Sequence, residues 1–413
     1  MKVLWFSVTP SLYGKNNNPH NGGGWIESLE KIIKQESSIQ LGIAFEHSDK
    51  TFKRMINGVT YYPIKAWRFQ LHEIYSKYIK GNDEKYIIPA CIKIINDFSP
   101  DIIHVFGAEW SFGLIPLFTN IPVIIHLQGC MPAYYNARFP AGYSIYDIFL
   151  YNGLNIKNIF KQLLIENSLR LRAKREERIL TECRYFLGRT EWDKNIALLY
   201  SPKSKYYYCS EALRDPFINS NVSWQPRDRK KKIFMSTISS PIYKGMDLIL
   251  KAAFILTTKF NLDFEWRIFG IQDLSFHEKK TKIRALNVRV KLMGIISADE
   301  LKDELLNTDI FIHPSYIDNS PNSICEAQIL GVPIISTNVG GISSLIEHNI
   351  TGLLVPANDP YMLCSLIIKL INDVNISINM SRKAEIIAKQ RHSQTNILND
   401  LVKAYSEVMA LGK

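Results

Sequence analysis

The sequence predicts an α/β protein of two domains, each organised around a parallel sheet, and three observations carry that expectation. The chain has 413 residues, about twice the length of a common domain, which runs to roughly 100–200 residues. Short apolar runs alternate with longer amphipathic stretches through most of its length, the pattern of repeated βα units. Between the two series of runs lies a polar, charged and proline-bearing stretch, SNVSWQPRDRKKK at 220–232, which reads as a linker.

The runs expected as strands in the first half are 3–8, 41–45, 102–106, 123–127 and 185–188; those in the second half are 233–235, 264–269, 288–293, 310–313 and 333–336. Their lengths and their β-branched and aromatic content suit buried strands. The expected boundaries are 1–222 for the first domain and 223–392 for the second, with 393–413 as a closing helix packed back on the first. In that last segment Ile397, Leu401, Tyr405 and Val408 share one helical face.

A composition of 46% hydrophobic and 22% charged residues excludes a disordered or fibrous chain. The six cysteines are scattered without a CxxC pair, which argues against a disulfide framework and against a zinc site and points to a reducing, cytoplasmic setting. The opening MKVLWFSVTP leads into a glycine loop and reads as a buried strand rather than a signal peptide. The formal net charge of +11 suits a phosphorylated small molecule or an anionic surface. Nucleic acid is not expected, because the basic residues are not interleaved with a reading motif.

The most informative stretch is HPSYIDNSPNSICEAQILGVPIISTNVGG, 313–341. A strand runs into a polar loop, and a helix follows in which Ser320 can cap and Pro321 suits the first turn. With Asn322 and Ser323 behind them, these residues would present backbone N–H groups at the carboxyl end of a parallel strand, where phosphate or sugar hydroxyls are commonly held. Asp318 stands before the helix and Glu326 within it. Two more segments belong with this one. Gly22, Gly23 and Gly24 follow the first strand and precede a helix beginning near Trp25, and Lys244 lies in MSTISSPIYKGMDLILKAA, a strand, loop and helix at 235–253. No D-x-D triplet occurs, so the carboxylate cluster that would hold a divalent ion is missing.

Taken together these motifs resemble the E-x7-E signature of family 4 glycosyltransferases, with Asp318 in place of the first Glu. The resemblance implies the GT-B fold, two Rossmann-like domains facing a central cleft. It implies a retaining transfer from a nucleotide-diphosphate sugar to an acceptor hydroxyl, with neither metal nor other cofactor. Asp318 would touch the transferred sugar, Glu326 the ribose hydroxyls, and Lys244 the leaving diphosphate, with Gly24, Ser320, Asn322 and Ser323 lining the donor site. In the first half PDIIHVFGAEW, VIIHLQGCM and YFLGRTEWDKN resemble the family's acceptor-domain motifs. From these His126 is chosen to lie near the transferred sugar and Arg189 near the phosphates.

Three departures qualify the resemblance. No arginine precedes Lys244, Ser344 stands where the family carries a Glu after the GG pair, and Asp318 is one methylene short. The rival readings are a sugar-nucleotide epimerase of the same fold and an inactive sugar-nucleotide-binding partner protein. The expected acceptor is a glycan or lipid-linked glycan of the cell surface, met at the inner face of the membrane. In 155–180, Lys157, Lys161, Arg170, Arg172, Lys174, Arg175 and Arg178 outnumber Glu166, Glu176 and Glu177 among helically spaced apolar residues, as in a peripheral membrane contact.

Overall fold

The computed structural model describes residues 1–14, 24–47, 52–65 and 70–412. They divide into two compact units, Met1–Tyr135 with Gly153–Ala212 and Ser393–Lys413, and Asn136–Asn152 with Leu213–His392.

In the first unit the strands are β1 (Lys2–Ser7), β2 (Gln40–Glu46), β3 (Arg54–Ile56), β4 (Val59–Ile64), β5 (Ile102–Phe106), β6 (Val123–His126), β7 (Tyr185–Gly188) and β8 (Lys205–Tyr208). They form one sheet in the order β3-β4-β2-β1-β5-β6-β7-β8. All neighbours are parallel except β3, which turns back from β4 through Asn57 and Gly58, both with positive φ. Side chains alternate across the sheet. Leu4 and Phe6 join one core layer with Ile95, Phe98 and Ile179, while Val3 and Trp5 join the other with Leu29 and Ile33. Ile397, Leu401, Tyr405 and Val408 of the closing helix Gln394–Leu411 complete that second layer and are fully buried.

The second unit carries β9 (Lys232–Ile238), β10 (Phe264–Gly270), β11 (Val290–Gly294), β12 (Ile310–His313), β13 (Ile334–Thr337) and β14 (Leu353–Val355), all parallel in the order β11-β10-β9-β12-β13-β14. Phe234 and Trp266 pack with the helices Met246–Thr258 and Pro360–Asn372 on one face. Met235 and Phe311 pack with the helix Asn322–Ile329 on the other. Strand order reverses between β9 and β12, and in the first sheet between β1 and β5. In open α/β sheets ligand sites commonly lie beyond the strands' carboxyl ends at such a switch point.

The chain enters the second unit at Leu213, before the stretch expected as linker. Leu213, Phe217 and Trp224 are buried in that unit's core, the Trp224 indole donates to Thr308 O at 2.7 Å, and Arg229 pairs with Asp309 at 2.9 Å. The polar composition of 220–232 thus belongs to a packed, amphipathic entry segment. Residues 136–152 also lie in the second unit, held by Lys280 on Asp147 at 2.6 Å and by Tyr143 and Tyr151 against the Phe276 ring. No single helix among the described residues is long and apolar enough to cross a membrane.

Candidate functional site

In the second unit, two loops leave adjacent strands at the switch point and meet. The loop after β9 ends in a short turn, Ile242–Lys244, and Gly245 then starts the helix Met246–Thr258. The loop after β12 carries Ser315, Tyr316 and Asp318. Tyr316 N donates to Tyr243 O at 2.7 Å, which joins the two loops one residue from Lys244. Gly245 has φ +81, and a Cβ there would lie 2.1 Å from Pro314 O, so this close approach requires glycine.

That contact sets Lys244 Nζ 2.6 Å from Asp318 Oδ2. The same oxygen accepts from His313 Nε2 at 3.1 Å and Ser315 Oγ at 3.2 Å. Asp318 is only 6% exposed. Burial alone would raise its carboxyl, but the Lys244 charge and then His313 outweigh that and hold it well below the usual carboxylate range. Burial likewise favours neutral Lys244, and Asp318 overcomes it and raises the ammonium above its ordinary value. Both groups are therefore charged at neutral pH. Gly341 N donates to Asp318 O at 3.0 Å, and a Cβ on Gly340, at φ +53, would fall 1.9 Å from that oxygen. The GG pair thus clamps the backbone of the acid. Ser344 lies in the turn Ile342–Ser344 just beyond it.

The helix after Asp318 begins one residue later than expected. Pro321 occupies the cap position with extended backbone, so Ser320 precedes the cap and does not fill it, while Asn322 and Ser323 form the first turn. Asn319 and Ser320 are buried beside Asp318. Glu326 projects from the same helix and is 2% exposed. Arg214, a residue the sequence did not single out, donates Nε to its Oε1 at 2.7 Å and Nη2 to its Oε2 at 2.8 Å. A surface acid it is not: burial of this carboxylate is matched by a fixed, two-pronged counter-ion.

In the first unit, Gly24 opens the helix Gly24–Ile33; Gly22 and Gly23 lie outside the described residues. His126 ends β6 and is fully buried among Trp25, Phe106 and His104. Burial, with Arg189 and His104 adding to it, holds its imidazole well below the ordinary value, and burial holds His104 down to about 3. Trp5 Nε1 donates to Tyr405 Oη at 3.0 Å, the Tyr405 hydroxyl lies 2.6 Å from His104 Nδ1, and His104 Nε2 lies 3.3 Å from His126 Nδ1, so the two rings belong to one buried hydrogen-bonded chain.

The polar side chain just past β6 is Gln128, which the sequence reading passed over. It accepts from Arg189 Nη2 at 2.8 Å. Arg189 itself is buried, stacks 4.4 Å over the Trp25 ring and has Nε 3.8 Å from the fully buried Glu211. A phosphate would have to compete with Glu211 for it. Among the described residues no group of three His, Cys, Asp or Glu side chains is placed to hold a metal ion. All six cysteines are free and buried.

Residues 220–389 match the family of glycosyl transferases group 1. The amylovoran biosynthesis glycosyltransferase AmsK of Erwinia amylovora is 33% identical over 135 residues, covering 31% of this chain and 33% of that protein, so this alignment spans only about a third of the relative. Among solved structures, the sucrose-phosphate synthase of Thermosynechococcus elongatus superposes with a TM-score of 0.72 over 99% of both chains at 14% identity. The Anabaena protein HepE, in complex with UDP and glucose, does so with a TM-score of 0.62 over 98% of this chain and 99% of its own at 16% identity. At these identities the likeness is one of fold, and it identifies the two parallel-sheet units as the Rossmann-like pair of a GT-B protein.

Proposed function

Since the chain carries a glycosyl transferases group 1 domain over residues 220–389, we propose that it moves a sugar from a nucleotide-diphosphate sugar to an acceptor hydroxyl with retention at the anomeric carbon. The observation that carries this reading is the meeting of Lys244, Asp318 and the Gly340–Gly341 clamp at the second sheet's switch point. A cation fixed beside a dipolar helix start suits a leaving diphosphate. Lys244 has three N–H donors, so it can keep Asp318 and still donate to phosphate. As the donor's C1–O bond breaks, its electron pair goes to the phosphate oxygen. The acceptor oxygen bonds to C1 on the same face, and its proton passes to the departing phosphate. Asp318, held ionised, faces the positive charge that develops on the sugar. Glu326 takes the ribose hydroxyls.

The solved HepE complex with UDP and glucose supports a nucleotide sugar as donor, and the AmsK relative supports a polysaccharide product. The charge on the diphosphate is assigned to Lys244 and helix N–H groups, with no metal or other cofactor. The free, buried cysteines fit a reducing cytoplasm. The helix Ile156–Glu182 suggests where the chain meets a lipid-linked acceptor: Ile156 is 83% and Phe160 59% exposed, beside exposed Lys157 and Lys161. Arg172 and Arg175 do not add to that surface, since Arg172 stacks on Trp110 and Arg175 pairs with buried Asp83.

Thermal shifts with UDP-, GDP- and ADP-sugars test the donor assignment, because a ligand of the native state raises apparent stability. One nucleotide series should raise the melting temperature, and the glycoside formed with that donor should keep its anomeric configuration. An inverted product would overturn the retaining mechanism, and interconversion of the sugar nucleotide without an acceptor would favour an epimerase.

A further inference from the structure

We propose that Arg214 is a positioning residue of the nucleotide site, whose guanidinium fork holds the Glu326 carboxylate in one orientation for the ribose hydroxyls. This rests on the reading of Glu326 as the ribose acceptor. The two parallel hydrogen bonds, 2.7 and 2.8 Å, fix the carboxylate plane as a single bond or a lysine contact would not. Glu326 is nearly inaccessible to solvent, and a buried carboxylate without a counter-charge tends to take up a proton or turn toward water.

Arg214 is itself fixed. It precedes the short helix Asp215–Ile218, and its guanidinium lies 4.9 Å from the centre of the Phe217 ring, which is buried in the second unit's core. The guanidinium is thus held between an aromatic face and the acid, on the segment by which the chain enters this unit. Its role is not that of the missing arginine before Lys244, because its fork faces Glu326. A ligand that meets Glu326 through ribose should sense Arg214, and one that lacks the ribose hydroxyls should not.

The test titrates UDP, GDP and ADP into the full chain and compares the tightest binder with its 2′,3′-dideoxy analogue. Arg214→Gln should raise Kd for the nucleoside diphosphate about tenfold, in line with the loss of a charge-assisted pair, and leave Kd for the dideoxy analogue unchanged. Arg214→Lys, which keeps the charge and so favours folding, should lose about threefold. The double variant Arg214→Gln with Glu326→Gln, which removes both charges, should bind no more weakly than Glu326→Gln alone. Equal losses for the two ligands, additive losses in the double variant, or no loss at all would overturn the role of Arg214. If the wild type binds none of the three nucleotides, the donor-site reading fails and takes this inference with it.

Discussion

Lys244 Nζ lies 2.6 Å from Asp318 Oδ2 although the two residues stand on loops of different βα units. The ion pair is nearly buried and each partner holds the other charged. Lys244→Ala should lower kcat by about 100-fold, the scale seen when one donor to a developing anion is removed. Asp318→Asn should lower kcat with little change in nucleotide affinity. Because the residues act as a unit, the double variant should be far less impaired than the product of the two losses. Steady-state kinetics on the four proteins checks this, and multiplicative losses would separate the two roles.

Gly340→Ala should damage the same loop without touching any charge. A Cβ there would lie 1.9 Å from Asp318 O at a φ of +53, so a cost of about 1–3 kcal/mol or more is expected from strain and overlap. Denaturant titration should show the loss, and the folded fraction should also turn over more slowly. Wild-type stability and activity in Gly340→Ala would mean that the clamp is dispensable.

Acid should weaken the second unit through Glu265 on β10. Burial would raise its carboxyl, but Lys291, Arg267 and Lys231 overcome that and bring it down to about 2. Its value in the unfolded chain is about 4.3. The folded state thus favours the ionised form. That contribution is complete above about pH 4–5 and fades as the pH falls toward about 2. The gap in denaturation midpoint between wild type and Glu265→Gln should be widest at pH 7 and close progressively below pH 4; a gap independent of pH would refute the assignment.

The exposed start of the helix Ile156–Glu182 should bind anionic vesicles in a salt-dependent way, with about 1 kcal/mol of attraction per basic residue near the surface. Changing Lys157 and Lys161 to Gln, or Phe160 to Ser, should release the protein in a sedimentation assay. Changing Arg175 should act through folding instead, since it pairs with buried Asp83. A wild type that stays in the supernatant at low salt would direct the search for an acceptor to soluble glycans.

The central strands were legible because they are buried on both faces and read as uninterrupted apolar runs. Those missed are β3, β4, β8 and β14, the outermost two strands at one edge of the first sheet and the last at an edge of each sheet. β3, β8 and β14 are edge strands of 3, 4 and 3 residues, too short for a clear pattern, whereas β4 is a buried strand of 6 residues between β3 and β2. The Asn57-Gly58 dipeptide was the signal that would have revealed β3 and β4. Lys244, Asp318 and Glu326 were singled out by motif order, but the ion pairs they form were not legible. Arg214 and Glu326 are 112 positions apart, and no local spacing connects them. The surroundings of His126 were not legible either: a histidine at a strand's last residue can point into either layer, and this one packs against Trp25 and Phe106.

The most direct measurement is release of nucleoside diphosphate from UDP-, GDP- and ADP-sugars by the purified protein in EDTA, compared with Asp318→Asn and Lys244→Ala. The wild type should release nucleoside diphosphate slowly from one donor series, unaffected by the chelator, and both variants should lose that release. No release from any donor, release that stops in EDTA and returns with magnesium, or variants as active as the wild type would contradict it.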